Sequence, residues 1–333
     1  AGNSSTRSLP LPEGEGQGGG HDVSLAFAGA GRLGSSLAIA AQRAGYNVAA
    51  LSSRRVDHRR WLKARLPGVR LVAFPAEAAA RADSVFITTP DAAVSEVSEQ
   101  ISWRSGQAAV HCSGALPLSA LNAAAGAGAA VGGFHPLQTF PGPDAHDRLC
   151  GVSFAIESPD SALAGWLRGF AADLGGIPFD IAPEHRAAYH ASAVMVSGLA
   201  AALAGLSAQM WTQFGVPRER ALSSLSPLIV STALAVQERG LPAALTGPYV
   251  RGDAATVARH IEATQAHSPD LARAYAALAL AALPIAAEQG GLSDAARMDI
   301  ERMLRRALAA SEPSSRGRRG VAVTPGAVNS AKQ

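Results

Sequence analysis

Two cysteines in 333 residues, Cys112 and Cys150, exclude a disulfide framework and a cysteine-based metal cluster. Both read as small buried apolar residues in a reducing, cytoplasmic setting. Long apolar runs are missing too. The longest, about residues 275–287, falls short of the roughly 20 residues a bilayer requires and contains Pro284. The N-terminal segment has no apolar signal core. Aromatics are scarce at 5% and charged residues make up only 17%, so a well-buried globular chain is expected rather than a solvated one. The net charge of +3 belongs mostly to the ends. Residues 311–333 carry +3 and residues 1–20 carry −1, leaving +1 for the body, so no nucleic-acid face is expected. Asp180, Glu184 and His185 lie close in sequence but follow no metal-ligand spacing, and Asp180 or Glu184 reads as a helix cap.

What is present is organised around residues 23–34. A short apolar run ends at Ala28, and Gly29, Gly31 and Gly34 follow at once, leading into an alanine-rich helical pattern. Strand, glycine turn and helix are the context in which G-x-G-x-x-G binds a dinucleotide. Gly29 suits the tight turn, Gly31 the close approach of a pyrophosphate, and Gly34 the packing of helix on strand. Ala30, Arg32 and Leu33 complete the loop, whose helix N-terminus offers free N–H groups to phosphates.

The second strand, 47–51, ends in Ser52-Ser53-Arg54-Arg55. No acidic residue follows before Asp57, so the usual partner of a ribose 2′-hydroxyl is missing. Ser53, Arg54 and Arg55 suit a 2′-phosphate instead, and NADP(H) is the expected cofactor. Further strands are expected at 69–72, 84–88, Ala108–His111, 131–134, 152–156 and Ile177–Asp180. Thr89 and Pro90 then fall at the cofactor edge, with Asp91 as the cap of the next helix.

From residue 183 strand signals stop. Helices are expected at 184–214 without interruption, 218–238 with a kink or break at Pro227, 254–266, Pro269–Glu288 and 293–310. The predicted organisation is a disordered tail 1–20, a doubly wound α/β domain 21–182, an all-helical domain 183–310 and a disordered basic tail 311–333.

Three stretches carry a family resemblance: His111-Cys112-Ser113-Gly114, Gly133-Phe134-His135-Pro136-Leu137-Gln138-Thr139-Phe140, and Leu245-Thr246-Gly247-Pro248 with Arg251-Gly252-Asp253. With Tyr189-His190-Ala191 they resemble bacterial Rossmann-like proteins whose helical C-terminal domain is of unknown function. These stand within the 6-phosphogluconate dehydrogenase-like superfamily, beside ketopantoate and pyrroline-5-carboxylate reductases. The resemblance implies an NADP-linked oxidoreductase acting on a small molecule, and a homodimer built through the long helices. It makes ketopantoate a candidate substrate and leaves open an imine reductase or a non-catalytic NADP-binding sensor. One departure stands out. The β-hydroxyacid and ketopantoate enzymes use a helical-domain lysine as general acid, and this chain has only Lys63 and Lys332. Ser197-Gly198 also replaces an asparagine that such proteins tend to carry.

A histidine is the natural substitute donor at neutral pH. His190, near where the superfamily places its lysine, is the first candidate, and His135 is the second. His111 reads as a core residue orienting its neighbours. Ser113 with the Gly114 backbone can hold a carboxylate or a developing oxyanion. Gln138, Thr246 and Arg251 are candidate substrate contacts. Asp253 reads as a helix cap.

Overall fold

The computed structural model describes residues 22–310. The two tails expected at 1–20 and 311–333 lie outside the described residues. Contacts divide the chain into two compact units, Ala1–Gly198 and Leu199–Gln333. The division falls beyond the expected boundary at 182/183, so the first part of the long helical stretch groups with the sheet.

The first unit is an eight-stranded sheet. Its strands are β1 (Ser24–Ala28), β2 (Asn47–Ser52), β3 (Arg70–Val72), β4 (Ser84–Ile87), β5 (Ala108–His111), β6 (Ala130–Pro136), β7 (Ser153–Glu157) and β8 (Ile177–Asp180). The order is β3-β2-β1-β4-β5-β6-β7-β8. All neighbours are parallel except β6 and β7. Helices α1 (Arg32–Arg43), α2 (Val56–Lys63), α3 (Pro75–Ala79), α4 (Val94–Glu99), α5 (Asn122–Gly126), α6 (Ser161–Asp173) and α7 (Arg186–Val194) complete this unit. The strand order reverses between β1 and β4, which places a ligand crevice outside their carboxyl ends.

The central strands are buried on both faces, as strands flanked by crossover helices must be. Phe27, Phe86 and Phe134 point into one core with Phe154, Trp166 and Phe170, while Val85 and Ile87 point into the other. The scarce aromatics are thus concentrated. Phe134 lies 4.8 Å from Phe154 and Trp166 stacks on Phe170 at 5.3 Å. Asp160 caps α6 by accepting from the Leu163 N–H at 2.8 Å.

Several expectations are corrected. Strand β6 runs on through His135 and Pro136, because it pairs along that length with β7. Asp91 does not cap a helix. It starts a 3-10 turn, Asp91–Ala93, and its carboxylate is turned to Ser113. Asp180 and Glu184 cap nothing: Asp180 pairs with Arg168 at 2.7 Å, and the turn Pro183–His185 has no side-chain cap. Cys150 is exposed, and only Cys112 is buried.

The long helix is interrupted. A π-helical turn, Met195–Leu199, follows α7. The Ser197 hydroxyl donates to the Ala193 carbonyl at 2.6 Å, competing with the regular ladder.

In the second unit, α8 (Ala200–Met210) and α9 (Arg218–Arg239) precede α10 (Pro248–Arg251), α11 (Ala254–His267), α12 (Pro269–Glu288) and α13 (Asp294–Ala310). Helix α9 continues through Pro227 without the expected break. The backbone partner that Pro227 forfeits belongs to the exposed Ser223, where water can replace it. Val257, Ala276, Leu283, Ile300 and Leu304 form the core of α11, α12 and α13. Asp253 caps α11, accepting from the Thr256 N–H at 3.0 Å. Among the described residues two helical stretches are long and apolar enough to cross a membrane, Pro183–Phe214 and Pro269–Glu288. Both exceed the longest unbroken apolar run of the sequence, because the helices continue through scattered polar residues.

Candidate functional site

The glycine turn is built as the sequence predicts. Gly29 has φ +119°, a region only glycine enters without strain. A Cβ on Gly34 would lie 2.1 Å from the Gly29 carbonyl oxygen. A Cβ on Gly31 would meet nothing nearer than 3.9 Å, so that glycine faces open space. Two residues that the sequence analysis did not name as site residues hold the turn. The Ser52 hydroxyl accepts from the Gly29 N–H at 3.0 Å, and the Thr88 hydroxyl donates to the Gly29 carbonyl at 2.6 Å. Their only signal was their position at strand ends.

Gly31 is the N-cap residue of α1, and no side chain caps that helix. The turn that leads into it borders a cavity of about 520 Å³, lined among others by Gly29, Gly31, Ser53, Arg54, Thr89 and Pro90. The Thr89 hydroxyl is buried with no partner among the described residues. An uncapped helix start, an open glycine face and an orphaned hydroxyl fit a phosphorylated dinucleotide.

The two arginines after β2 differ. Arg55 is bound by Asp57, with Nη2 2.5 Å from Oδ2. Arg54 is exposed and lines the cavity. Arg59 donates to the Ser53 carbonyl at 2.5 Å and to the Arg54 carbonyl at 3.1 Å, holding the loop from α2.

A second group of side chains lies at the ends of β4, β5 and β6. Ser113 donates to Asp91 at 2.8 Å and accepts from the N–H groups of Ala115 and Leu116 at 3.1 and 3.0 Å. Its hydroxyl is therefore committed to shaping the loop, which differs from the oxyanion role expected of it. His135 and His190 meet over Gly114. A Cβ there would lie 2.8 Å from His190 Cδ2 and 2.9 Å from His135 Nε2. Their ring centroids are 6.2 Å apart. The Tyr189 hydroxyl is 2.7 Å from His135 Nδ1.

Beneath them lies Arg186, a buried cation not singled out from the sequence. It donates from Nε to Glu157 at 2.7 Å, pairs with the same carboxylate through Nη2, and donates from Nη1 to the Ser113 carbonyl at 3.0 Å. An arginine in an apolar helix start was the available sign. Burial pushes His111 down to about 4, with Arg186 adding to the effect and Asp91 opposing it. Burial likewise pushes His135 down to about 4, helped by His190 and Arg186. Both rings are neutral at pH 7.

Gln138 is exposed after β6, where its Oε1 accepts from the Thr139 N–H at 2.8 Å. Thr246 and Arg251 belong to the helical unit, Arg251 exposed at the end of α10. A larger cavity of about 710 Å³ is lined by residues such as Pro117, Glu157, Arg168 and Asp180, and none of the predicted site residues lines it. Among the described residues no cluster suits a metal ion.

Fold and site together define a doubly wound α/β protein with a phosphate-binding glycine turn and an appended helical unit. Two domain families match parts of the chain, a Rossmann-like domain and a domain of unknown function, DUF2520. Residues 14–136 match the Rossmann-like domain and residues 152–282 match DUF2520. The latter begins one residue before β7, so that domain takes in the sheet edge as well as helices. Among solved structures, a provisionally assigned NADP oxidoreductase, BF3122 from Bacteroides fragilis, is similar at 25% identity and TM-score 0.64, covering 80% of this chain and 99% of that one. Protein TM1727 from Thermotoga maritima is similar at 25% identity and TM-score 0.59, covering 72% and 89%. A 1-pyrroline-5-carboxylate reductase from Streptococcus pyogenes shares the fold at 14% identity and TM-score 0.52, covering 86% and 98%. No curated protein matches the chain.

Proposed function

We propose that this protein is an NADPH-dependent reductase of a small carbonyl compound of the 2-oxo acid type, ketopantoate included, with a histidine supplying the proton. The observation that carries this reading is the meeting of His135 and His190 over Gly114, tied through Ser113 and Asp91 to the strand end that walls the glycine-turn cavity. The similar Bacteroides protein, assigned to the NADP oxidoreductases, supports the cofactor.

In this reading the N–H groups after Gly29 hold the pyrophosphate, and Ser53 and Arg54 hold the 2′-phosphate. When bound, the cofactor supplies a hydride from its nicotinamide ring. His135, neutral, offers a hydrogen bond to the substrate oxygen. His190, half-buried beside it, delivers the proton to that oxygen. Thr246 and Arg251 remain proposed substrate contacts from the helical unit.

Reduction of a C=N bond is a second reading, favoured by one observation. The buried cation of the group, Arg186, is paired with Glu157, while among the described residues the carboxylate of Asp91 is met by the Ser113 hydroxyl and by no cation. A cationic iminium suits that balance better than an anionic acid.

The partner proposed for the helical unit is a second copy of this chain. Leu203 and Leu206 on α8, with Leu228, Val230 and Leu234 on α9, are exposed apolar residues of the kind that mark an interface. Light scattering at micromolar concentration is expected to give a dimer. A monomer that floats with liposomes would assign the same residues to a membrane.

The functional test is NADPH consumption across a panel of 2-oxo acids and cyclic imines. Turnover that falls in His190→Ala while cofactor affinity holds supports the reading. Tight NADPH binding with no turnover on any acceptor would leave a cofactor-binding sensor instead.

A further inference from the structure

Tyr189 and His190 are consecutive on α7, and both side chains reach His135 at the end of β6. The phenol meets one nitrogen of that ring, with its oxygen 2.7 Å from Nδ1. The other nitrogen, Nε2, borders Gly114, where a Cβ would approach it to 2.9 Å. Phe179 packs edge-on against the Tyr189 ring at 5.7 Å and fixes where the hydroxyl points.

We infer that Tyr189 is a positioning residue that locks His135 in its neutral Nε2–H tautomer, so that Nε2–H is the donor presented beside Gly114 to the heteroatom of the hydride acceptor. The inference rests on the reductase reading only for what the donor serves, not for which nitrogen carries the proton.

The hydrogen-bond inventory supports this orientation. A phenol is a far better donor than acceptor, and burial raises Tyr189 to about 12, so it keeps its proton. Its only polar side-chain neighbour in the group is His135 Nδ1. A neutral imidazole has one donor nitrogen and one acceptor, so an Nδ1 that accepts requires an Nε2 that donates. Burial above all keeps the ring neutral, and the surrounding charges add to it. Arg186 and His190 on α7 oppose protonation, and Asp91 after β4 is the one group favouring it. His111 on β5 is itself buried and neutral. A fixed neutral N–H needs no reorganisation when negative charge develops on a substrate oxygen or nitrogen. Without the phenol, both tautomers of His135 become available and part of the population turns a lone pair towards the acceptor.

The test is a long-range ¹H–¹⁵N correlation spectrum of the full chain labelled with ¹⁵N-histidine at pH 7. His135→Asn assigns the resonance by its loss. The wild-type His135 is expected to show a protonated Nε2 and an unprotonated Nδ1. In Tyr189→Phe both nitrogens are expected to move to intermediate positions, while the His190 signals hold and NADPH affinity is unchanged. The same variant is expected to lose about tenfold in kcat/KM, the fold-change one hydrogen bond represents. A wild-type His135 protonated on Nδ1 overturns the inference, whether or not Tyr189→Phe folds. So does a Tyr189→Phe spectrum that keeps the pure Nε2–H tautomer. Absence of turnover on every acceptor sinks the reductase reading and leaves the tautomer result standing.

Discussion

Asp91 and Ser113 join the two halves of the site. The carboxylate after β4 accepts the hydroxyl after β5 at 2.8 Å, and that hydroxyl in turn accepts two loop N–H groups. The strand end that walls the cofactor cavity and the strand end under the histidines are thus one unit. Asp91→Asn keeps an acceptor oxygen and is expected to retain most of the activity. Asp91→Ala leaves the Ser113 hydroxyl without its acceptor and lets the Gly114 loop move. A misplacement on the order of 1 Å at a reacting centre can cost roughly a hundredfold in rate. Steady-state NADPH oxidation, with the NADPH dissociation constant measured in parallel, separates the two variants.

Gly31 and Gly34 look alike in the sequence and differ in the structure. Gly34→Ala drives a methyl group into the Gly29 backbone and is expected to lower stability by about 1–3 kcal/mol or more, as overpacking does. Gly31→Ala meets open space and is expected to fold with an unchanged melting temperature. Its methyl group lies where the pyrophosphate approaches, so cofactor affinity falls. Thermal unfolding and NADPH titration of both variants check the contrast.

The arginines after β2 carry a separate prediction about cofactor choice. Arg54 is free to meet a 2′-phosphate, while Asp57 holds Arg55. Arg54→Ala is expected to weaken NADPH by about 1.5–3 kcal/mol, the contribution of a charged hydrogen bond, and to leave NADH almost unaffected. Arg55→Ala is expected to do less. Equal loss of both cofactors in Arg54→Ala would remove it as the phosphate reader.

Much of the fold was legible because it rests on local patterns. Strand β5, strand β8 and helix α12 fall at the residues expected, and the glycine turn needed only its spacing and its flanking strand and helix. The misreadings involve side-chain partners, some distant in sequence and some within one turn or loop. Asp91 looks like a cap until β5 brings Ser113 to it. Ser113 looks free until its own loop folds back. Arg186 and Glu157 pair across 29 positions, and neither a charge count nor a motif announces that pair. The π-helical turn depends on a hydroxyl bonding one turn back at Ser197, which composition does not reveal.

The buried histidines tie stability to pH. The ordinary value near 6.5 is lowered to about 4 for both His111 and His135 in the fold. Between those values the unfolded chain binds more protons than the folded one. Stability is therefore full above pH 6.5 and falls as the pH drops towards 4, by roughly 2–4 kcal/mol per histidine at most. Urea unfolding from pH 7.5 to 4 is expected to show this loss, and His135→Asn is expected to flatten the slope. A flat wild-type profile over that window would place the rings in contact with water.

The central claim is that the glycine turn and Arg54 seat a phosphorylated dinucleotide. Calorimetric titration of the full chain with NADPH, NADP, NADH and NAD tests it most directly. The account predicts saturable binding of the two phosphorylated forms, at least tenfold tighter than their unphosphorylated partners, as about 1.4 kcal/mol from one charged contact requires. Absence of binding by all four, or a preference for NADH, would contradict it.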